Sequence, residues 1–204
     1  MSVNVRITQE PDHRRRLDLA FVHGLAAEEG LYFGIMNDIF CLETFEGEDV
    51  HDVWLVLFSQ RIYCRGVQMK IDAQDDLEFI LNLPSGPTDI ACFYRLISRC
   101  CLTLGVASFV QEEEVCALEE IDRLREELIR SNRSLVHEAL KADLCVFGCI
   151  YPITLDETLF SLIEQAGKDQ ADLVFERYMD HLQKKDCYYA RVRIYRDAEG
   201  AFHA

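Results

Sequence analysis

Gly66-Val67-Gln68-Met69-Lys70-Ile71-Asp72-Ala73-Gln74-Asp75-Asp76-Leu77-Glu78-Phe79-Ile80-Leu81-Asn82-Leu83 is the run that decides the fold. Val67, Met69 and Ile71 alternate with polar residues. Leu77, Phe79, Leu81 and Leu83 do so again beyond an Asp-rich turn. A period of two sends successive side chains to opposite faces, so the run predicts a β-hairpin with one apolar face. Pro84-Ser85-Gly86-Pro87 then breaks the chain, and Thr88 is the expected N-cap, with Asp89 in the first turn. A helix is predicted over residues 89–104, with Ile90, Phe93, Tyr94, Ile97, Cys100, Cys101 and Leu104 on one face and Gly105 as its stop.

Upstream, Val3, Val5 and Ile7 alternate with Asn4, Arg6 and Thr8, which reads as an edge-like strand. A basic run, Arg14-Arg15-Arg16, precedes a helix carrying Leu17, Phe21 and Leu25 and ending at Gly30. Short strands are predicted over 31–35 and 39–45, an acidic loop over 46–52 and a buried strand over 53–58. Downstream, a strand is expected over 106–110 and a mostly continuous helix over 112–140 that breaks near Ser131-Asn132, with Leu118, Ile121, Leu124 and Leu128 inward. Residues 144–151 are apolar on both faces and predict a central, doubly covered strand ended by Pro152. Two helices follow, over 156–166 and 169–184. From Tyr188 the period returns to two, ahead of a turn at 197–200.

The chain of 204 residues is long enough to bury a core without staples. At this size roughly 70% of the unfolded chain's surface is removed from water. Thirty-six acids against twenty-one bases give a net charge of −15. Such a surface repels nucleic-acid phosphates and anionic lipid heads, and it favours solubility or a basic partner. The nine cysteines are odd in number and contain no Cys-x-x-Cys, and no apolar leader precedes Val3, so a reducing cytoplasm is the expected location. The longest apolar runs, 53–58 and 144–153, are too short to span a bilayer.

Several pieces of this order occur together in one family. They are the hairpin at 66–83, Pro84-Ser85 followed by Thr88-Asp89, Phe147-Gly148 before Pro152, Gln183 followed by Asp186-Cys187-Tyr188-Tyr189-Ala190, and Tyr195 with Gly200. Over roughly residues 66–202 the chain resembles an uncharacterised bacterial family of α+β proteins, a domain of unknown function. The resemblance implies no catalytic residue, since none is established for that family.

Candidate chemistry is sparse. Cys145 and Cys149, four apart on a predicted strand, would share a face and read as small core hydrophobes rather than metal ligands. Cys92 is the sharpest nucleophile candidate. It falls off the apolar stripe of its helix, near Arg95, Arg99 and the helix N-terminus, features that lower a thiol pKa, but it has no assignable histidine base. The six histidines are scattered and form no His-Glu-x-x-His. Acid clusters at 46–52, 72–76 and 112–114 read as solvated turns and helix starts. Tyr189, Arg191 and Arg193 are a candidate ligand groove. No metal or cofactor motif is present: the glycine-rich phosphate loops and Gly-x-Ser-x-Gly are absent.

These readings converge on an α+β protein, with an antiparallel or mixed sheet packed by four or five helices in a single compact unit over 1–204. Residues 46–52 are the place where a seam would set an N-terminal subdomain, 1–52, apart from a main body, 53–204. The expected function is that of a non-enzymatic cytoplasmic interaction protein with an acidic surface for a basic protein partner, immunity- or antitoxin-like by analogy of form. Nucleic acid and membrane are not expected partners. Two alternatives stay open: an enzyme of unfamiliar type using Cys92 or an acidic cluster, and a small-molecule binding module using Tyr189, Arg191 and Arg193.

Overall fold

The computed structural model describes residues 1–140 and 144–185, together with the backbone of two short strands, Tyr195–Arg196 and Phe202–His203. The order is β1 (Ser2–Ile7), α1 (Leu19–Glu29), β2 (Leu31–Met36), β3 (Leu42–Glu43), β4 (Leu55–Ser59), β5 (Val67–Ile71), β6 (Leu77–Asn82), α2 (Pro87–Leu104), β7 (Ser108–Gln111) and β8 (Glu114–Ala117). It continues with α3 (Ile121–Ala139), β9 (Cys145–Phe147), β10 (Pro152–Thr154), α4 (Glu157–Ala166), α5 (Ala171–Gln183), β11 (Tyr195–Arg196) and β12 (Phe202–His203). The fold is α+β. Eight strands form one antiparallel sheet in the order β3-β2-β4-β5-β6-β1-β7-β8, while β9 and β10 make a separate pair, as do β11 and β12.

The hairpin forms in the register that the alternation requires. Met69 pairs with Phe79 and Ile71 with Leu77, so their side chains share one buried face. Gly66 enters β5 at φ +71, and a Cβ there would meet the Leu57 carbonyl oxygen at 2.7 Å, so the position requires glycine. β1 is an interior strand, not an edge: it pairs with β6 along its whole length and with β7 on its other side. Its alternation reports one buried face and one open face, and that pattern is the same at an edge or in the middle.

α2 lies across the apolar face of the sheet, against β1, β4, β5 and β6. Every residue of the predicted stripe is buried, and so are Cys92 and Leu96. α1 packs beside α2 and against β2, and α3 lies along α2. α5 rests on both α2 and α3, and α4 on α5. This second layer of helices leaves α2 with few exposed positions, which explains why its apolar face is wider than its sequence period. A second core gathers Val136, Val146, Ile153, Leu155, Leu159, Ile163, Phe175 and Met179 between α3, α4, α5 and the β9–β10 pair. The sheet draws strands from both sides of residues 46–52, because β2 and β3 continue into β4 across that loop.

Several expectations are corrected. Residues 112–140 are not one helix: β7 and β8 make a hairpin turning at Glu112, which sits at φ 55, and α3 then runs through Ser131-Asn132 without a break. The run of glutamates suggested a helix start, yet its flanks pair across the turn, Val110 with Val115 and Phe109 with Cys116. Residues 144–151 are not a central strand. Only Val146 of β9 is buried, with Cys145 and Phe147 exposed, and Pro152 opens β10 rather than ending a strand. Cys145 and Cys149 therefore do not share a core face: Cys149 is buried beyond the end of β9. The N-cap of α2 is Gly86, with Pro87 in the first turn, not Thr88.

Phe79 is fully buried at the centre of β6. Phe79→Ala is expected to destabilise the fold by about 3–5 kcal/mol, read from the urea midpoint at constant slope.

Candidate functional site

The helices cover one face of the sheet. On the other, residues of alternate parity point out: Asn4 and Arg6 from β1, Lys70 from β5, Glu78 and Ile80 from β6, Val110 from β7. At the β2–β4 end this outer face is closed by Cys149 and Ile150, which pack with Val56, Phe58, Met36, Leu42 and Tyr63. The Leu42 amide donates to the Ile150 carbonyl at 2.7 Å and fixes that cover. No described element covers the remainder, which forms a shallow groove of about 240 Å³ lined by Asn4, Arg6, Trp54, Glu78, Ile80 and Val110.

Trp54 is the single tryptophan of the chain and is 37% exposed. It continues the outward parity of Val56 and Phe58 past the start of β4. Lys70 Nζ sits 5.1 Å above its ring and 2.8 Å from Glu78 Oε2. Arg6 reaches Asp72 at 2.9 Å and Asp76 at 3.4 Å. Glu112 bounds the far end, where it accepts from the Asn4 amide at 2.8 Å and returns its own amide to the Asn4 carbonyl at 2.9 Å. Exposed apolar surface, bound-in cations and a carboxylate rim thus share one face.

The turn at 72–76 was expected to be solvated. Instead Asp72 and Asp76 are buried and serve as acceptors for the N-terminal arm. Gln9 and Arg14 engage Asp76 at 3.0 and 3.3 Å, and the Leu17 amide donates to Asp75 at 2.8 Å. Part of the Arg14-Arg15-Arg16 run is consumed in this way, a role invisible without the fold. His51 also joins, with one ring nitrogen on Asp49 and the other on Asp75.

Cys92 does not have the environment its helix position suggested. It is 2% exposed, and its thiol is pushed up to about 12, by burial first and by the nearby Asp89 second, with Arg95 opposing. Arg95 and Arg99 are engaged by Glu29 and Glu28 of α1, which dilutes their pull on the sulfur. The helix period alone could not show that α1 and the sheet would close over this side of α2. Tyr189, Arg191 and Arg193 lie outside the described residues.

A buried polar node occupies the N-terminus of α2. Asp89 Oδ2 accepts from the Arg65 amide at 2.8 Å, the Gly66 amide at 3.1 Å and the Ser85 hydroxyl at 2.8 Å. Asn132 of α3 bonds the Ser85 backbone in both directions, and Glu176 of α5 accepts from the Thr88 amide at 2.6 Å. Burial raises the pKa of Asp89 and of Glu176, against the hydrogen bonds that favour their charged forms. Asp172 of α5 pairs with Arg133 at 3.1 Å through one oxygen, and its other oxygen is buried without a hydrogen-bond partner among the described residues. Among those residues no group of three His, Cys, Asp or Glu side chains is placed to hold a metal ion, and no helix is long and apolar enough to cross a membrane.

Three outcomes are expected. Asp89→Ala strands the buried Gly66 amide, the part-buried Arg65 amide and the Ser85 hydroxyl and should cost at least ~2 kcal/mol in urea unfolding. Because burial raises the folded value of Asp89, its contribution is fully present below the unfolded 3.8 and is lost as pH rises through the folded value. Wild type should therefore lose stability relative to Asp89→Asn over that rise. In native protein, iodoacetamide should modify the exposed Cys145 faster than Cys92 by on the order of a hundred-fold or more. Peptide mapping of the alkylated sites reads the ratio.

Comparison with known proteins adds one relationship. Nothing matches the chain among curated proteins or among solved structures. Residues 2–204 match the family described as Domain of unknown function (DUF4299), a span that takes in the N-terminal strands and α1 as well as the hairpin and helices that first suggested a relationship. The chain belongs to that family.

Proposed function

We propose that this protein is a non-catalytic cytoplasmic interaction module that offers the open half of its sheet to a basic protein partner. The observation that carries the reading is Trp54, exposed beside Lys70 at the β4 side of an antiparallel face that runs on through Ile80 to Val110, with carboxylates at both ends. Tryptophan on such a face supplies a large contact area at low side-chain entropy cost, and interface energy concentrates on residues of this kind. The acidic loop 46–52 leads directly into Trp54, and Glu112, Glu113 and Glu114 flank β7 and β8. With a net charge of −15, this frame steers a cationic surface and repels nucleic acid.

The cysteines support the cytoplasmic setting. Cys64, Cys92, Cys100, Cys101, Cys116 and Cys149 are packed as apolar groups. Burial raises their thiol pKa values, which leaves them unreactive structural groups. Neutralisation of a basic toxin is one role of this form, by analogy alone.

The test is capture from native lysate at low and at high salt with wild type, Trp54→Ala and Glu112→Lys, followed by calorimetric titration of the captured protein against each variant. Binding that weakens with salt and loses roughly thirtyfold in Trp54→Ala, about 2 kcal/mol, is expected. Capture indifferent to salt, or equal in the Trp54→Ala variant, would overturn the reading.

A further inference from the structure

The acidic segment ahead of Trp54 is held by one histidine. His51 Nδ1 lies 2.6 Å from Asp49 Oδ1 and Nε2 lies 2.9 Å from Asp75 Oδ1. A carboxylate oxygen accepts and cannot donate, so both contacts are hydrogen bonds only when both ring nitrogens carry hydrogen. Neutral imidazole has one N–H, which sets a nitrogen lone pair against a carboxylate at the other contact. The site is thus shaped for the imidazolium ion.

The two arms are anchored unequally. Asp75 also accepts from the Leu17 amide at 2.8 Å, stands at φ 61 and is mostly covered. The ring's own residue is pinned to the sheet: His51 bridges Ile71, and the Asp52 amide donates to the Ile71 carbonyl at 2.7 Å. Asp49, by contrast, is 74% exposed and is held by the His51 ring and the His51 amide. Val50 is buried, so the piece free to respond is residues 46–49, carrying Glu46, Glu48 and Asp49.

We propose that His51 is a proton-operated latch: as an imidazolium it clamps Asp49, and with it the acidic segment 46–49, to the turn at 72–76, and on giving its proton to solvent it keeps the bond to Asp75 and lets Asp49 go. The charged groups facing the ring are Asp49 on its own segment and Asp75 on the turn, and Arg16, from the arm before α1, acts on both of those carboxylates. Asp72 and Asp76 on the same turn are taken up by Arg6 and Arg14.

The titration has the matching direction. The bond to Asp75, then that to Asp49, raises His51 above its ordinary 6.5. The bond from the His51 side chain lowers Asp49, and for Asp75 burial is outweighed by the bonds from His51 and the Leu17 amide. A raised histidine gives its stabilisation fully below the unfolded 6.5 and loses it as pH rises through the folded value. The lowered carboxylates give theirs above 3.8 and lose it as pH falls through their folded values. The latch is closed between those limits and opens as pH rises through the folded value of His51, above 6.5. The partner reading plays no part in it.

The test is an NMR titration of the whole protein from about pH 5.5 to about pH 9, a span bracketing ordinary histidine, following the His51 ring and the amides of residues 46–50. Three results are expected. The His51 midpoint lies above 6.5; the amides of 46–50 move with that midpoint; and Asp49→Asn, at an exposed position, shifts the midpoint back toward 6.5. His51→Gln should remove the amide transition and leave residues 46–49 open to a glutamate-specific protease at every pH tested. A midpoint at or below 6.5, still amides at 46–50, or a transition that persists in His51→Gln would each overturn the latch.

Discussion

The carboxylate of Asp89 is the contact on which the arrangement turns. It is buried at the start of α2 and gathers the amides of Arg65 and Gly66, from the loop before β5, with the hydroxyl of Ser85, from the loop after β6. One oxygen thereby sets the hairpin against the helix that covers it. Glu176 repeats the device from α5 by accepting from the Thr88 amide at the same helix end. Helix N-terminal amides have no partner within the helix, and buried amides must be satisfied. Glu176 supplies that need at Thr88 and ties α5, in the second layer of helices, to the start of α2. The cost is visible in the same groups, since burial raises both carboxyl pKa values.

That economy separates the two faces of the sheet. Asp89, Glu176, Cys92, Cys100 and Phe93 are buried on the helical side, where α2, α3 and α5 stack. The opposite side keeps Trp54, Lys70, Arg6 and Glu78 at the surface; among the described residues, the Cys149–Ile150 segment alone folds over it, at the β2–β4 end. Charge on the open face is mostly paired: Lys70 with Glu78, Arg6 with Asp72 and Asp76. These pairs are partly buried on at least one side, and their charges contribute to recognition through the field they set on that face. The structured acids of the turn at 72–76, and the histidine they hold, lie at the border of that face.

Much of the fold was legible in local patterns, and the misreadings have physical causes. The hairpin was read correctly because a period of two over two runs leaves one solution, and the stripe on α2 because seven apolar side chains share a helical face. The glutamates at 112–114 misled because acids are favoured both at helix starts and in tight turns, and the choice fell to cross-strand pairing of Val110 with Val115. Residues 144–151 misled because apolar character on both faces also describes a short exposed strand followed by a covering segment. Of the candidate site, Trp54 was visible only as the one tryptophan, because nothing local marks which sheet face is left open.

The amino-acid sequence by itself determined what short-range sterics and hydrophobic period control: the strands of the hairpin, the helices, the glycine stop at Gly105 and a strongly acidic net charge. Tertiary structure alone decided what depends on side chains far apart in the chain. It buried Cys92 under α1 and the sheet, turned the acids at 72–76 into acceptors for Arg6, Gln9 and Arg14, and brought His51 between Asp49 and Asp75. Burial and electrostatics act through distance in space, and sequence neighbours do not encode that distance.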